Sequence, residues 1–186
     1  MALLSVVLPP DVARLLSTLD VPGERASDHH VTLVYPGKTL PFEASLAYIG
    51  ATNKALSGLK PFTVTVNAVG TFAAKDGKVP VVAKVEGEAL HDLRERLVKA
   101  LDEASVEYDT TYKDYRPHVT LAFAEAKDVG FMQTLPSPVT WGVSEVAFWG
   151  GSEGASGIQV TFPLLLAKRV ASNYLRRGAR YPVQRG

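Results

Sequence analysis

Apolar positions recur along this chain with two spacings, and the switches between them outline its elements. Alternation over residues 62–66 (Phe-Thr-Val-Thr-Val) predicts a strand, because successive strand side chains face opposite ways. Residues 69–72 continue it beyond a bulge, residues 79–85 form its partner, and Asp76-Gly77 between them signals a hairpin. Residues 3–8, 30–35 and 118–123 also read as strands, the second of these ended by Pro36-Gly37. Helical spacing marks residues 9–19 (Val12, Leu15, Leu16 and Leu19 behind Pro9), 42–56 (Leu46, Ile49, Leu56) and 88–104 (Leu90, Leu93, Leu97, Leu101). Residues 21–28, with Pro22-Gly23, are expected to form a loop, and residues 128–134 a short helix. Residues 139–149 and 157–165 read as two strands around a Gly/Ser-rich turn, and residues 167–177 as a terminal helix. A strand–helix–strand theme written twice predicts an α+β protein of two related lobes facing one cleft.

Two of these strands are near-copies of one another. His30-Val-Thr-Leu-Val-Tyr35 and His118-Val-Thr-Leu-Ala-Phe123 each run His-Val-Thr-Leu, a small aliphatic residue and an aromatic. Residues i and i+2 of a strand share a face, so each histidine shares one with its threonine. Val31, Leu33 and Tyr35, or Val119, Leu121 and Phe123, are expected on the other, apolar face. A core strand needs one buried face and has no use for an imidazole and a hydroxyl side by side on the opposite one. Brought together, the strands supply two imidazoles and two hydroxyls around one small cavity. Imidazole titrates near neutrality and can serve as base or acid, and cleavage of a phosphodiester needs both roles on opposite sides of phosphorus. Threonine hydroxyls can donate hydrogen bonds to the non-bridging oxygens, where charge accumulates. The arrangement requires no metal ion.

Bulk properties narrow the partners. An apolar fraction of 46% with 21% charged residues is ordinary for a globular chain of 186 residues. Without cysteine, disulfides and thiolate metal sites are excluded, and the four histidines (His29, His30, His91, His118) show no metal-binding spacing. The apolar run at residues 3–8 lacks a basic lead-in and meets Pro9-Pro10, so it reads as a first strand and not a signal peptide. No apolar run approaches the roughly 18 residues that cross a bilayer, and the expected compartment is the cytoplasm. The net charge of +1 conceals an asymmetry: six basic and no acidic residues follow Glu153, leaving the rest at −5. A mildly acidic body argues against duplex DNA and favours a small phosphorylated nucleotide or short oligonucleotide, bound by a monomer.

The paired motifs resemble those of the two-histidine (2H) phosphoesterases, which include the LigT-like RNA 2′,5′-ligase/cyclic phosphodiesterases and phage nucleases that destroy cyclic-oligonucleotide signals. The resemblance spans about residues 1–165 and includes Pro117 before the second histidine, the run at residues 62–72, the 80–85 strand and the region of residues 148–152. It implies a bilobal fold in which two antiparallel sheets, related by a pseudo-two-fold axis, line a central cleft with helices outside. It also implies His30 and His118 as the acid/base pair, Thr32 and Thr120 as phosphate-binding hydroxyls, and no metal or cofactor. Residues 1–165 would form that domain as two intertwined lobes, with residues 166–186 a basic helix or tail.

Further substrate contacts are expected from residues near the motifs. Tyr35, Tyr112, Tyr115 and Trp149 are candidates to stack on a base, and Lys38 and Arg116 to touch phosphate. His29 is expected to face away from Thr32, and His91 to be solvated on a helix. Two readings follow: a metal-independent hydrolase of cyclic or 2′,5′/3′,5′-linked nucleotide phosphodiesters, or a nucleotide- or RNA-binding module that uses the same cleft without turnover. Intact histidine and threonine at all four positions favour the enzyme.

Overall fold

The architecture was read from a computed structural model, which describes residues 2–37, 40–111, 114–150 and 157–164. The chain runs β1 (Ala2–Val7), α1 (Pro10–Ser17), β2 (Glu24–Arg25), β3 (His30–Gly37), α2 (Phe42–Leu56), β4 (Phe62–Thr71), β5 (Val79–Glu86), α3 (Glu88–Glu103), β6 (His118–Ala124), one 3-10 turn (Ala126–Asp128), β7 (Met132–Val143), β8 (Glu145–Trp149) and β9 (Ile158–Pro163). The α+β class expected from the sequence is the class observed. The expected terminal helix lies outside the described residues.

All described strands belong to one antiparallel sheet in the order β7-β4-β5-β6-β3-β1-β8-β9, with β2 added beside β6. Where two sheets were expected there are two halves of one, joined between β3 and β6 by a single pair, Val31 opposite Val119. The halves mirror each other about that joint, β3-β1-β8-β9 on one side and β6-β5-β4-β7 on the other. The sheet is strongly bent. Six strand spacings separate β7 from β8 along it, about 29 Å in a flat sheet. Ser144 alone links them, and one residue bridges only about 7 Å.

One face of the sheet is apolar. Val31, Leu33, Val119 and Leu121 join Val64, Val66, Val81 and Ala83 in a core completed by Val12 and Leu16 of α1, Tyr48 and Leu56 of α2, and Leu90, Leu93, Leu97 and Leu101 of α3. The leucines of α3 fall at helical spacing, as the sequence predicts, and make its buried stripe. Helices α2 and α3 pack on each other, with α3 against β3 and α2 against β9. Among the described residues no helix is long and apolar enough to cross a membrane.

Two local expectations change. The helix expected at residues 128–134 is replaced by the 3-10 turn and the start of β7. That strand tolerates Pro136 and Pro138 because it pairs only with β4, at the sheet edge, and both prolines fall in a gap of the pairing between Thr134 and Val139. The loop expected at residues 21–28 contributes β2, and Gly23 there has φ +96° and lies against β6, where a Cβ would stand 2.4 Å from the Phe123 carbonyl oxygen. Only glycine fits both requirements.

Candidate active site

Both motif strands lie side by side at the centre of the sheet, and the Val31–Val119 pair fixes their register. In antiparallel pairing this sets His30 opposite Thr120 and Thr32 opposite His118, all on the face away from the core. The two valines turn inward and are fully buried, while the four polar side chains are half-buried. The histidines are diagonal neighbours, a relation that separates such positions by about 7–8 Å. Side chains rising from positions so spaced can flank a group the size of a phosphate. The sequence-predicted quartet is therefore one cluster.

The surrounding register extends the pattern. Along one row of this face Thr134, Ala68, Lys84 and His118 are successive cross-strand partners, and beyond the joint Thr32, Ser5, Ala147 and Thr161 continue it. Each histidine ring meets an aromatic carried two strands away on its own half. The His30 ring lies 5.6 Å from that of Trp149, tilted by 41°, and the His118 ring 4.7 Å from that of Phe72, edge-on. Trp149 donates its indole N–H to the buried Ser5 hydroxyl at 2.7 Å. Since Ser5 is the neighbour of Thr32, that bond ties the Trp149 ring to the motif strand. Phe72 and Ser5 were not expected at the site. The alternation of Ala68, Gly70 and Phe72 on the face away from Val69 carried the signal for Phe72.

One expectation is overturned by a bulge. Tyr35 and Phe123 were assigned to the apolar face by strict alternation, but both strands slip by one residue at the motif leucine. Ser5 pairs with Thr32 while Leu4 pairs with Val34, and Val82 pairs with Thr120 while Val81 pairs with Ala122. The extra residue in each case is Leu33 or Leu121, so two successive residues are buried and the next turns over. Tyr35 thus comes to the face of His30, and Phe123, 42% exposed, to the face of His118.

Electrostatics suit proton transfer. The His118 Nδ1 lies 2.7 Å from the Arg116 carbonyl oxygen. A carbonyl only accepts, so Nδ1 carries a proton and Nε2 is the atom presented outward. Burial lowers the pKa of His118, while that backbone hydrogen bond opposes the shift. For His30 burial again lowers the pKa, Asp28 opposes, and the charge of His118 adds to the lowering. His30 thus feels the charge of His118 across the joint. The His30 Nδ1 is buried and has no hydrogen-bond partner among the described residues.

The remaining candidates divide. Trp149 stands at the site against His30. Tyr115 turns away, toward α3: its hydroxyl donates to the Thr32 carbonyl oxygen at 3.1 Å, its ring meets His91 edge-on, and the Arg94 guanidinium sits 5.0 Å from the ring centre. The ring packs against the core, which explains why it is not free to stack on a base. His91 is exposed, as expected, apart from that contact. Arg116 has an exposed side chain and serves His118 through its backbone. His29 precedes β3 near Arg25 and Asp28, with its pKa lowered chiefly by burial. Lys38 and Tyr112 lie outside the described residues. Among the described residues no group of three or more His, Asp or Glu is placed to hold a metal ion.

Residues 9–155 match the 2′-5′ RNA ligase superfamily. Over 125 residues the chain is 30% identical to the anti-CBASS protein Acb1 of Vibrio phage KVP40, a match that covers 67% of this chain and 70% of the phage protein. Among solved structures, TT0787 of Thermus thermophilus superposes with a TM-score of 0.69 at 21% identity, covering 88% of this chain and 97% of that one. E. coli LigT in complex with NADP+ superposes with a TM-score of 0.67 at 15% identity, over 88% and 96%. LigT has also been solved with 3′-AMP, ATP and phosphate.

Proposed function

Because this chain belongs to the 2′-5′ RNA ligase superfamily, we propose that it is a phosphodiesterase that hydrolyses nucleotide phosphodiesters through His30 and His118. Candidate substrates are 2′,3′-cyclic phosphates and short or cyclic oligonucleotides with 2′,5′ or 3′,5′ linkages. The observation that supports the reading is the Val31–Val119 pair, which brings two imidazoles and two hydroxyls to adjacent positions on one face of the sheet.

In the proposed reaction one imidazole takes a proton from the attacking water as its oxygen bonds to phosphorus. The other gives a proton to the departing ribose oxygen as the bond from phosphorus to that oxygen breaks. For a cyclic phosphate the product is a phosphomonoester, and the two histidines exchange protonation states over the cycle. Thr32 and Thr120 donate to the non-bridging oxygens, on which charge builds in the transition state. Tyr35 and Trp149 flank the phosphate position as surfaces for a base, each such contact contributing about 1–3 kcal/mol. The nucleotides bound by LigT support ligands of this size. The chemistry uses the chain's own proton carriers, so activity is expected to survive EDTA.

The test is turnover by the purified protein of 2′,3′-cyclic mononucleotides, 2′,5′-oligoadenylate and 3′,3′-cyclic dinucleotides, with and without chelator. Product from at least one is expected. Binding without product over hours would establish a non-catalytic nucleotide-binding module instead, and cleavage of long RNA alone would refute the small-ligand reading.

A further inference from the structure

The strand Val79–Glu86 is apolar apart from two exposed charges toward its end, Lys84 and Glu86, and the Glu86 carboxylate accepts a hydrogen bond from the Asn67 amide. Lys84 is the cross-strand partner of His118, so it stands on the face of the histidines one strand spacing away, about 4.8 Å. It is exposed, and among the described residues it forms no ion pair. Its side chain does not lean toward the joint between the motif strands. It runs the other way, over β4, where a Cβ built on Gly70 would lie 3.2 Å from Cε and 3.6 Å from Nζ. Gly70 pairs with Val82, itself the partner of Thr120, and the Phe72 ring reaches across the same strip to His118. Glycine at position 70 leaves room for the lysine stem along the sheet. The result is an ammonium beside His118 that no described carboxylate pairs, on the side away from the space between the two imidazoles.

We propose that Lys84 binds a second, non-reacting phosphate of the substrate, and that the preferred ligands are nucleotides carrying two phosphates, one on each side of His118. This rests on the phosphodiesterase reading and narrows its substrate class. An ammonium in this position cannot reach the far side of the reacting phosphate, but it meets the next phosphate of a dinucleotide whose first lies between the histidines. The edge of Phe72, between the two, is an apolar surface for the intervening nucleoside. On the other half, the residue paired with His30 is Val7, so the second charge is recognised on one side only. Such an asymmetry gives a dinucleotide one preferred direction across a site whose reacting groups are nearly symmetric.

The experiment compares Lys84→Gln with wild type on two ligands, a 2′,3′-cyclic mononucleotide with one phosphate and a dinucleotide ending in the same cyclic phosphate with two. Loss of one charged contact is expected to lower kcat/KM on the dinucleotide by about 10–100-fold and on the mononucleotide by less than about threefold. Lys84→Arg should restore most of the loss. A thermal melt checks that the exposed substitution leaves the fold intact. Equal losses on both ligands would put the ammonium on the reacting phosphate and overturn the proposal. If wild type turns over neither ligand, the phosphodiesterase reading is judged by the wider panel above, and calorimetric titration decides the second-phosphate site by itself. A preference of about tenfold for the dinucleotide, erased by Lys84→Gln, upholds the site, and no preference refutes it.

Discussion

Replacing Tyr115 by phenylalanine separates a group that positions the motif from one that touches substrate. The hydroxyl donates to the backbone carbonyl of Thr32, the residue whose side chain faces His118. Burial raises the Tyr115 pKa well above its ordinary value. Phenylalanine keeps the contacts of the ring with His91 and Arg94 and removes only the donor. Losing one such bond, with its acceptor left largely out of water, costs about 1–2 kcal/mol. In urea unfolding this lowers the midpoint by about 0.5–1 M at unchanged m value. The strand carrying His30 and Thr32 also loses an anchor, and small misplacement of reacting groups is expensive, so kcat should fall by roughly 3–30-fold with KM nearly constant. Tyr115→Ala removes the ring as well and should cost about 3–5 kcal/mol. The reasoning is refuted if Tyr115→Phe unfolds at the wild-type midpoint while KM rises several-fold, since the hydroxyl would then be bonding substrate.

Other predictions follow from the same geometry. Burial lowers both imidazole pKa values, and one ring must be neutral while the other is protonated, so kcat/KM should peak below about pH 6.5 and fall on both sides. Bound phosphate favours the protonated rings, which moves the kcat profile to higher pH; a kcat/KM maximum above about pH 7.5 would contradict this account. The same shifts mean that the unfolded chain binds more protons as pH falls below about 6.5, so stability should decline on acidification and a His30→Gln/His118→Gln variant should decline less. Gly23→Ala forces a side chain into the Phe123 carbonyl at a positive φ; about 2–3 kcal/mol of lost stability and a Tm lower by roughly 5–10 °C are expected, and an unchanged melt would place the loop elsewhere. Thr32→Ala and Thr120→Ala should each lower kcat by about 10–1,000-fold, and a loss confined to KM would assign the hydroxyls to ground-state binding only.

The quartet was legible because its signal is local: a His-x-Thr unit places two groups on one face of any strand, and its recurrence in the other half of the chain invites pairing. Helix α3 was legible for a similar reason, its leucines repeating at helical spacing. What escaped was set by neighbours distant in sequence. The slips at Leu33 and Leu121 cannot be seen in a run of alternately sized apolar residues, because Leu-Val and Leu-Ala read equally well as alternation or bulge. Phe72, which meets the His118 ring, lies two strands away and only strand order brings it there, whereas Trp149, equally distant from His30, was among the expected site residues. Tyr115 was misassigned because a loop aromatic next to a motif looks the same whether it turns out to ligand or in to a helix. The first part of strand β7, residues 132–138, escaped because two prolines argue against a strand unless its edge position is known, whereas residues 139–143 lay within an expected strand.

The most direct test of the account is the rate of diester hydrolysis by His30→Ala, His118→Ala and the double variant, in EDTA, with folding verified by circular dichroism. Each single substitution removes one proton carrier and should lower kcat by about 10²–10⁴-fold. In the proposed mechanism the two rings act on one phosphate as a unit, so the double variant should be little slower than the worse single one, well short of the product of the two losses. A folded single variant that retains activity within about threefold of wild type would contradict the two-histidine mechanism.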